Sequence, residues 1–284
     1  MCGRFRPATL PAAMLATVLT ALLLAAPAAG GPVKEVATGG AVRAELSYAK
    51  VSDTEVRDLS LKIVRAGTTV LDGRLRLNCL DCGIVPLKVV GLTSLRVRDL
   101  DGDREPEVVV DLYTGGAHCC FVTAFYRYDS SGPLYARNEH DFGDAGFTLR
   151  DLDGDRVPEL ESADVAFAYA FTSFADSVFP PKIWRYRQGR LTDVTRSFPK
   201  LIAAEADALW RGYRRAREEE GSDVRGTLAA WAGDMHLLGR GAEVWPKLEQ
   251  ARLLGDLNRP GPWPAGKKYV SVLRAFLRDA GYRR

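Results

Sequence analysis

The chain has 284 residues, of which 46% are hydrophobic and 26% charged, and its formal net charge is +3. A chain of this length can bury one large core or two smaller ones. So small a net charge gives no reason to expect a nucleic acid or an anionic membrane surface as partner.

Residues 1–30 open with Arg4 and Arg6, pass through the apolar stretch AAMLATVLTALLLAA at 12–26, and end in the small residues Pro27, Ala28, Ala29 and Gly30. A basic start, a short apolar run and an A-x-A-like end predict a cleaved secretory signal peptide. The run is interrupted by Thr17 and Thr20 and falls short of the roughly 20 residues needed to cross a bilayer. No cysteine follows it at lipoprotein distance, and no later stretch is long and apolar enough to span. The expected product is therefore secreted, periplasmic or extracellular, with no membrane span in the mature form. Cleavage removes two arginines and no acids, lowering the charge from +3 to +1.

From 31 to 199 the pattern is that of strands. Residues 41–51 and 58–67 alternate apolar and polar, as half-buried strands do. Residues 68–77 continue the pattern, with Asp72 and Gly73 as the expected hairpin turn. "TSLRVRDL" leads into an acidic stretch and "EVVVDLYTGG" leaves it, followed by the aromatic and β-branched run 120–129. "GFTLRDL" enters a second acidic stretch, and 182–195 read as a closing hairpin turned at Gln188 and Gly189.

After Pro199 the period becomes helical. Ile202, Ala206, Leu209 and Tyr213 form one stripe; Val224, Leu228, Trp231, Met235 and Leu238 form a second. Trp245, Leu248, Leu253 and Leu257 suggest a third helix, and Tyr269, Leu273, Phe276 and Ala280 a fourth. Ser222 is the expected N-cap of the second. Residues 200–284 thus read as a helical domain or a docked helical layer.

Four cysteines remain after cleavage: Cys79 and Cys82 in NCLDCG, Cys119 and Cys120 in GGAHCCF. An even number in an exported chain suggests disulfides, expected between the two clusters because adjacent cysteines bridge each other poorly. Zinc held with His118 and a redox site remain as alternatives. A Cys–His nucleophile is disfavoured, since in a strand His118 and Cys119 would face opposite sides.

The strongest signal is a repeated nonapeptide. "DLDGDREPE" occupies 99–107 and "DLDGDRVPE" occupies 151–159, identical in all but the seventh letter. Counted from Asp99, acids stand at positions 1, 3, 5 and 9 as Asp99, Asp101, Asp103 and Glu107, and the carbonyl of Glu105 falls at 7. The second copy sets out Asp151, Asp153, Asp155, the Val157 carbonyl and Glu159 in the same way. A loop wrapped round an ion turns alternate residues inward, and calcium takes six to eight oxygens at about 2.3–2.6 Å. A side chain free to vary at position 7 fits a backbone ligand. Both loops are therefore expected to bind Ca2+; the plainer alternative is two solvated acidic turns. An EF-hand is excluded, because position 6 is Arg104 or Arg156 and position 12 is Val110 or Ser162.

With acids at 1, 3, 5 and 9, Gly102 and Gly154 at 4, Pro106 and Pro158 at 8, and strand-like flanks, the phrase resembles the calcium loop of FG-GAP and VCBS repeats. These are the blade units of integrin-type β-propellers. The resemblance covers the two loops and their flanking strands, about residues 94–165. It departs at position 6, usually glycine, and at position 9, where glutamate replaces aspartate. It implies four-stranded blades, yet 41–199 hold only about three repeats of that size. Closed propellers take roughly 4–8. The expected fold is mainly β, a partial or open propeller-like set of antiparallel sheets, followed by the helices.

Two further candidates stand out. "FAYAFTSFADSVFPP" at 167–181 is expected to pack over a calcium loop or to offer an aromatic patch to a sugar or protein. His118, His140 or the acidic groups are what a hydrolase would use, but no nucleophile elbow, H-E-x-x-H or isolated carboxylate pair supports that reading. The leading expectation is an exported, calcium-stabilised protein with a non-catalytic binding or cell-surface role toward a protein or carbohydrate ligand. An exported hydrolase with structural calcium and a disulfide or redox factor are the alternatives.

Overall fold

The computed structural model describes residues 32–283 apart from 53, 78–83, 91, 116–120, 132–133 and 220–221. The signal segment, the four cysteines and His118 lie outside the described residues.

Among the described residues the strands form three antiparallel sheets in chain order. The first is the meander β1 (Pro32–Gly39), β2 (Val42–Lys50), β3 (Val56–Arg65) and β4 (Thr68–Arg74). The second joins β6 (Leu95–Arg98), β7 (Glu107–Tyr113), β8 (Phe121–Asp129) and β9 (Leu134–Asp141), with the short β5 (Val85–Pro86) also paired to β7. The third is β10 (Thr148–Arg150), β11 (Glu159–Ala163), β12 (Pro181–Arg187) and β13 (Arg190–Asp193). The fold is therefore mainly antiparallel β with no closed barrel, as expected, and helices follow it.

Alternation places Val42, Ala44, Leu46 and Tyr48 of β2 and Leu61 and Ile63 of β3 on one buried face. That face packs on Val108, Val110 and Leu112 of β7 and Ala124 and Tyr126 of β8. The intervening Val109 and Phe125 point the other way and meet Leu160 and Tyr186 of the third sheet, with Phe125 and Tyr186 rings 5.3 Å apart. This explains the unbroken apolar run in β7: the middle sheet is covered on both sides.

The hairpin turn expected at Asp72 and Gly73 lies elsewhere. Asp72 and Gly73 lie inside β4, and β3 turns into β4 at Ala66 and Gly67, both with positive φ. Such a two-residue turn follows the right-handed twist of the strands, and Gly67 adopts φ +81° without a Cβ clash. The Gln188–Gly189 turn falls where expected, between β12 and β13.

The helices are α1 (Pro199–Ala216), α2 (Arg225–Leu237), α3 (Val244–Leu253) and α4 (Gly266–Asp279). The expected α1 stripe is buried, and α2 is buried on nearly every side. Leu253 is not a core residue: it is 71% exposed, while Leu257, beyond the end of α3, is buried. Ser222 does not cap α2. The preceding residue is Val224, and the Asp223 carboxylate accepts from the Arg225 N–H instead.

The aromatic segment also differs from its first expectation. Phe167 and Phe171 enter the helical core, with their rings 4.8 and 5.2 Å from Phe276, and do not cover an acidic loop. Tyr169 is half exposed at φ +57°. Gly226 lets α2 approach this segment, because a Cβ there would collide with the Asp176 carbonyl oxygen and Thr172. Gly226→Ala should therefore cost about 1–3 kcal/mol through overpacking. Urea denaturation measures this, and an unchanged midpoint would show that the segment yields.

Candidate metal centre

Each nonapeptide joins the two strands that lead into a sheet's central pairing: β6 to β7 in one case, β10 to β11 in the other. Both loops fold locally by the same device. Asp99 accepts from the N–H groups of Gly102 (2.7 Å) and Arg104 (2.9 Å), and Asp151 accepts from Gly154 (2.7 Å) and Arg156 (3.0 Å). These turns need left-handed backbone at positions 4 and 6. Gly102 and Gly154 have φ +78° and +84°, and Arg104 and Arg156 both have φ +71°. Arginine at position 6 thus bears the conformation that glycine tolerates better.

The position-9 glutamates close the loops from inside. Glu107 Oε2 accepts the Leu100 N–H at 2.9 Å, and Glu159 Oε2 accepts that of Leu152 at 3.0 Å. Asp99, Asp101 and Glu107 bring one oxygen each to within 4.8 Å of one another, and Asp151, Asp153 and Glu159 do the same. Asp103 and Asp155 remain outside these groups. Their Oδ1 atoms accept the N–H of Glu105 and Val157, both at 2.8 Å. The Glu105 side chain points away, held by two hydrogen bonds from Arg65 at 2.8 and 2.7 Å. Only its carbonyl remains for an inward role, as position 7 requires.

The two loops differ in charge balance. In the first, Glu107 is 0% exposed and the Asp101 side chain 3% exposed, yet Glu107 Oε1 and Asp101 Oδ1 have no hydrogen-bond partner. The hydroxyl of Tyr186 beside them is also buried and unpartnered. Burial, with the charges of Asp101 and Asp103 added, pushes the Glu107 carboxyl up to about 8. Buried orphan carboxylate oxygens are costly. A donor set of carboxylates and a carbonyl fits a hard divalent cation, which would supply the missing positive charge.

In the second loop Arg185 already supplies such a charge. It donates to Asp153 Oδ2 at 2.6 Å and, through Nε at 3.1 Å and through Nη2, to Glu159 Oε1. The corresponding Arg127 reaches Asp103 Oδ2 at 3.2 Å and lies 3.8 Å from Asp101, but makes no bond to Glu107. Motif reading missed both arginines, though a signal was present: Tyr126-Arg127-Tyr128 and Trp184-Arg185-Tyr186 repeat an aromatic-Arg-Tyr triplet.

His140, a hydrolase candidate, is half-buried between Phe142 and Trp184, with ring separations of 4.5 and 4.8 Å, and burial lowers its pKa. That is a packing environment. No helix among the described residues is long and apolar enough to cross a membrane.

No family model and no solved structure matches the chain. It is 28% identical over 212 residues to the "Probable thylakoid lumen protein sll0997" of Synechocystis, a match covering 67% of this chain and 61% of that protein. It is 29% identical over 162 residues to the "Uncharacterized protein y4bJ" of Sinorhizobium fredii, covering 56% of this chain and 24% of that protein. The chain spans less than two thirds of the length of either relative.

Proposed function

We propose that this is an exported calcium-binding protein of the lumen or periplasm type, whose acidic motif acts as an FG-GAP/VCBS-like calcium loop and whose role is binding rather than catalysis. The observation that carries the calcium reading is the pair of buried, unpartnered oxygens, Glu107 Oε1 and Asp101 Oδ1, in a group of carboxylates. The relative with a lumen name supports export, because a thylakoid lumen protein must cross a membrane to reach its compartment. The ion's part is structural: it would neutralise carboxylates that repel one another in the folded state. The partner it serves is a protein or a carbohydrate.

Calcium binding to the native form alone adds RT ln(1 + [L]/Kd), about 2.7 kcal/mol per site at a hundredfold excess over Kd. Chelator should lower the melting temperature and calcium restore it. Magnesium should do so poorly, being smaller and strictly octahedral. Identical melting with and without calcium, with no heat on calorimetric titration, would leave two solvated turns.

A further inference from the structure

The loops share a sequence, yet their carboxylates are balanced by different means. Val108 pairs with Tyr126 and Leu160 with Trp184, so one step outward sets Arg127 across from Glu107 and Arg185 across from Glu159. From this common position Arg185 reaches over its loop and ties Glu159 to Asp153, and each oxygen of those two side chains has a donor. Arg127 bonds to Asp103 and lies 3.8 Å from Asp101 Oδ2, but gives no donor to Glu107 Oε1 or Asp101 Oδ1. A second backbone contact fixes the difference. The Gln188 N–H from the β12–β13 turn donates to Asp101 Oδ2 at 3.0 Å, which holds that carboxylate in place with its other oxygen directed inward.

We propose that, of the two acidic loops, only the first binds a divalent cation, and that the guanidinium of Arg185 takes the ion's place in the second. This rests on the calcium reading above. An ion entering the second loop would have to strip Arg185 from two carboxylates, one of them fully buried. It would also strand a guanidinium beside a doubly charged ion. In the first loop nothing needs to be displaced from the orphan oxygens. Ion and arginine are thus alternative solutions to one electrostatic problem: a carboxylate group that cannot stay folded with its charge unmet.

Equilibrium dialysis against calcium, with the full chain, counts the ions. The expected result is one per chain in the wild type, none in Asp101→Asn or Glu107→Gln, and one still in Asp153→Asn. Arg185→Gln uncovers the second loop and should raise the count to two. Two ions on the wild type would overturn this inference while sustaining the calcium reading. None on the wild type would overturn both. One ion lost in Asp153→Asn but kept in Asp101→Asn assigns the site to the wrong loop and overturns the inference. So does a folded Arg185→Gln that still binds one. If circular dichroism shows that Arg185→Gln does not fold, the wild-type count and the Asp153→Asn count decide the matter alone.

Discussion

Raising the pH from about 5 to about 9 should destabilise the wild-type protein far more than Asp234→Asn, with a gap on the order of several kcal/mol by the end of the range. Asp234 sits in α2 fully buried, and neither carboxylate oxygen has a hydrogen-bond partner. Burial, and then the charge of Glu205, pushes its carboxyl from 3.8 up to about 8. The folded state therefore keeps a proton that the unfolded chain releases. This contribution is fully present below 3.8 and is lost as the pH rises through about 8. A tenfold difference in proton affinity between the folded and unfolded chain is worth about 1.4 kcal/mol, so the full effect amounts to roughly 6 kcal/mol, of which about 4 kcal/mol is lost between about pH 5 and 9. Glu107 has the same sign, which is why the comparison is with a variant in which it is unchanged. His236 has its pKa lowered by burial, so its contribution changes below 6.5, but it is common to both proteins and drops out of the comparison. Asparagine holds the shape with no proton to lose. Urea denaturation at each pH gives the two profiles, and parallel profiles would mean that Asp234 finds a cationic or solvated arrangement.

Arg225→Met should cost about 3–5 kcal/mol, because it leaves a buried carboxylate with only the Arg259 guanidinium, 3.9 Å away, as counter-charge. Arg225 is 1% exposed and grips both oxygens of Asp223, at 2.9 and 2.6 Å. Its remaining nitrogen reaches the carbonyls of Arg259 and Pro264 at 3.3 and 3.2 Å, so the guanidinium ties the start of α2 to the loop before α4. Burial works against ionisation of Asp223, but hydrogen bonds from Arg225 and Thr172 carry its carboxyl below the ordinary value. Asp223→Asn combined with Arg225→Met should recover part of the loss, since no unpaired charge then remains. A single-variant cost under about 1 kcal/mol would show that water reaches Asp223.

The turns of the acidic loops are legible because their logic is local: Asp99 and Asp151 each bond to backbone N–H groups within nine residues. The strands with alternating patterns, such as β2 and β3, were equally plain. β1 and β9 were not, and each lies at the edge of its sheet. The sequence of β9, LYARNEHD, carries charges where a central strand would carry apolar residues, as edge strands do. The true β3–β4 turn was hidden because Ala66-Gly67 looks weaker than Asp72-Gly73 as a pair of letters. Tertiary pairing of β3 with β4 decides between them. Arg127 and Arg185 stand 20 and 26 residues after the glutamates they oppose, so no fixed spacing links them to the loops. Sheet register makes that connection. The aromatic segment was recognised as unusual, but its burial partners come from α2 and α4, and pattern alone does not name a partner.

The contact between Gln188 and Asp101 has a consequence for the order of assembly. It spans 87 residues, and Arg65 reaches Glu105 across another 40 in the opposite direction. The first loop can draw its local turns as soon as it is made, but its final shape waits for the third sheet to close at the Gln188–Gly189 hairpin. Contacts of such long separation form late, after most of the loop-closure entropy has been lost. Whatever the completed loop holds is therefore gripped on the native side of the folding barrier. The contact should thus act as a latch: its loss is expected to speed unfolding while leaving the folding rate almost unchanged.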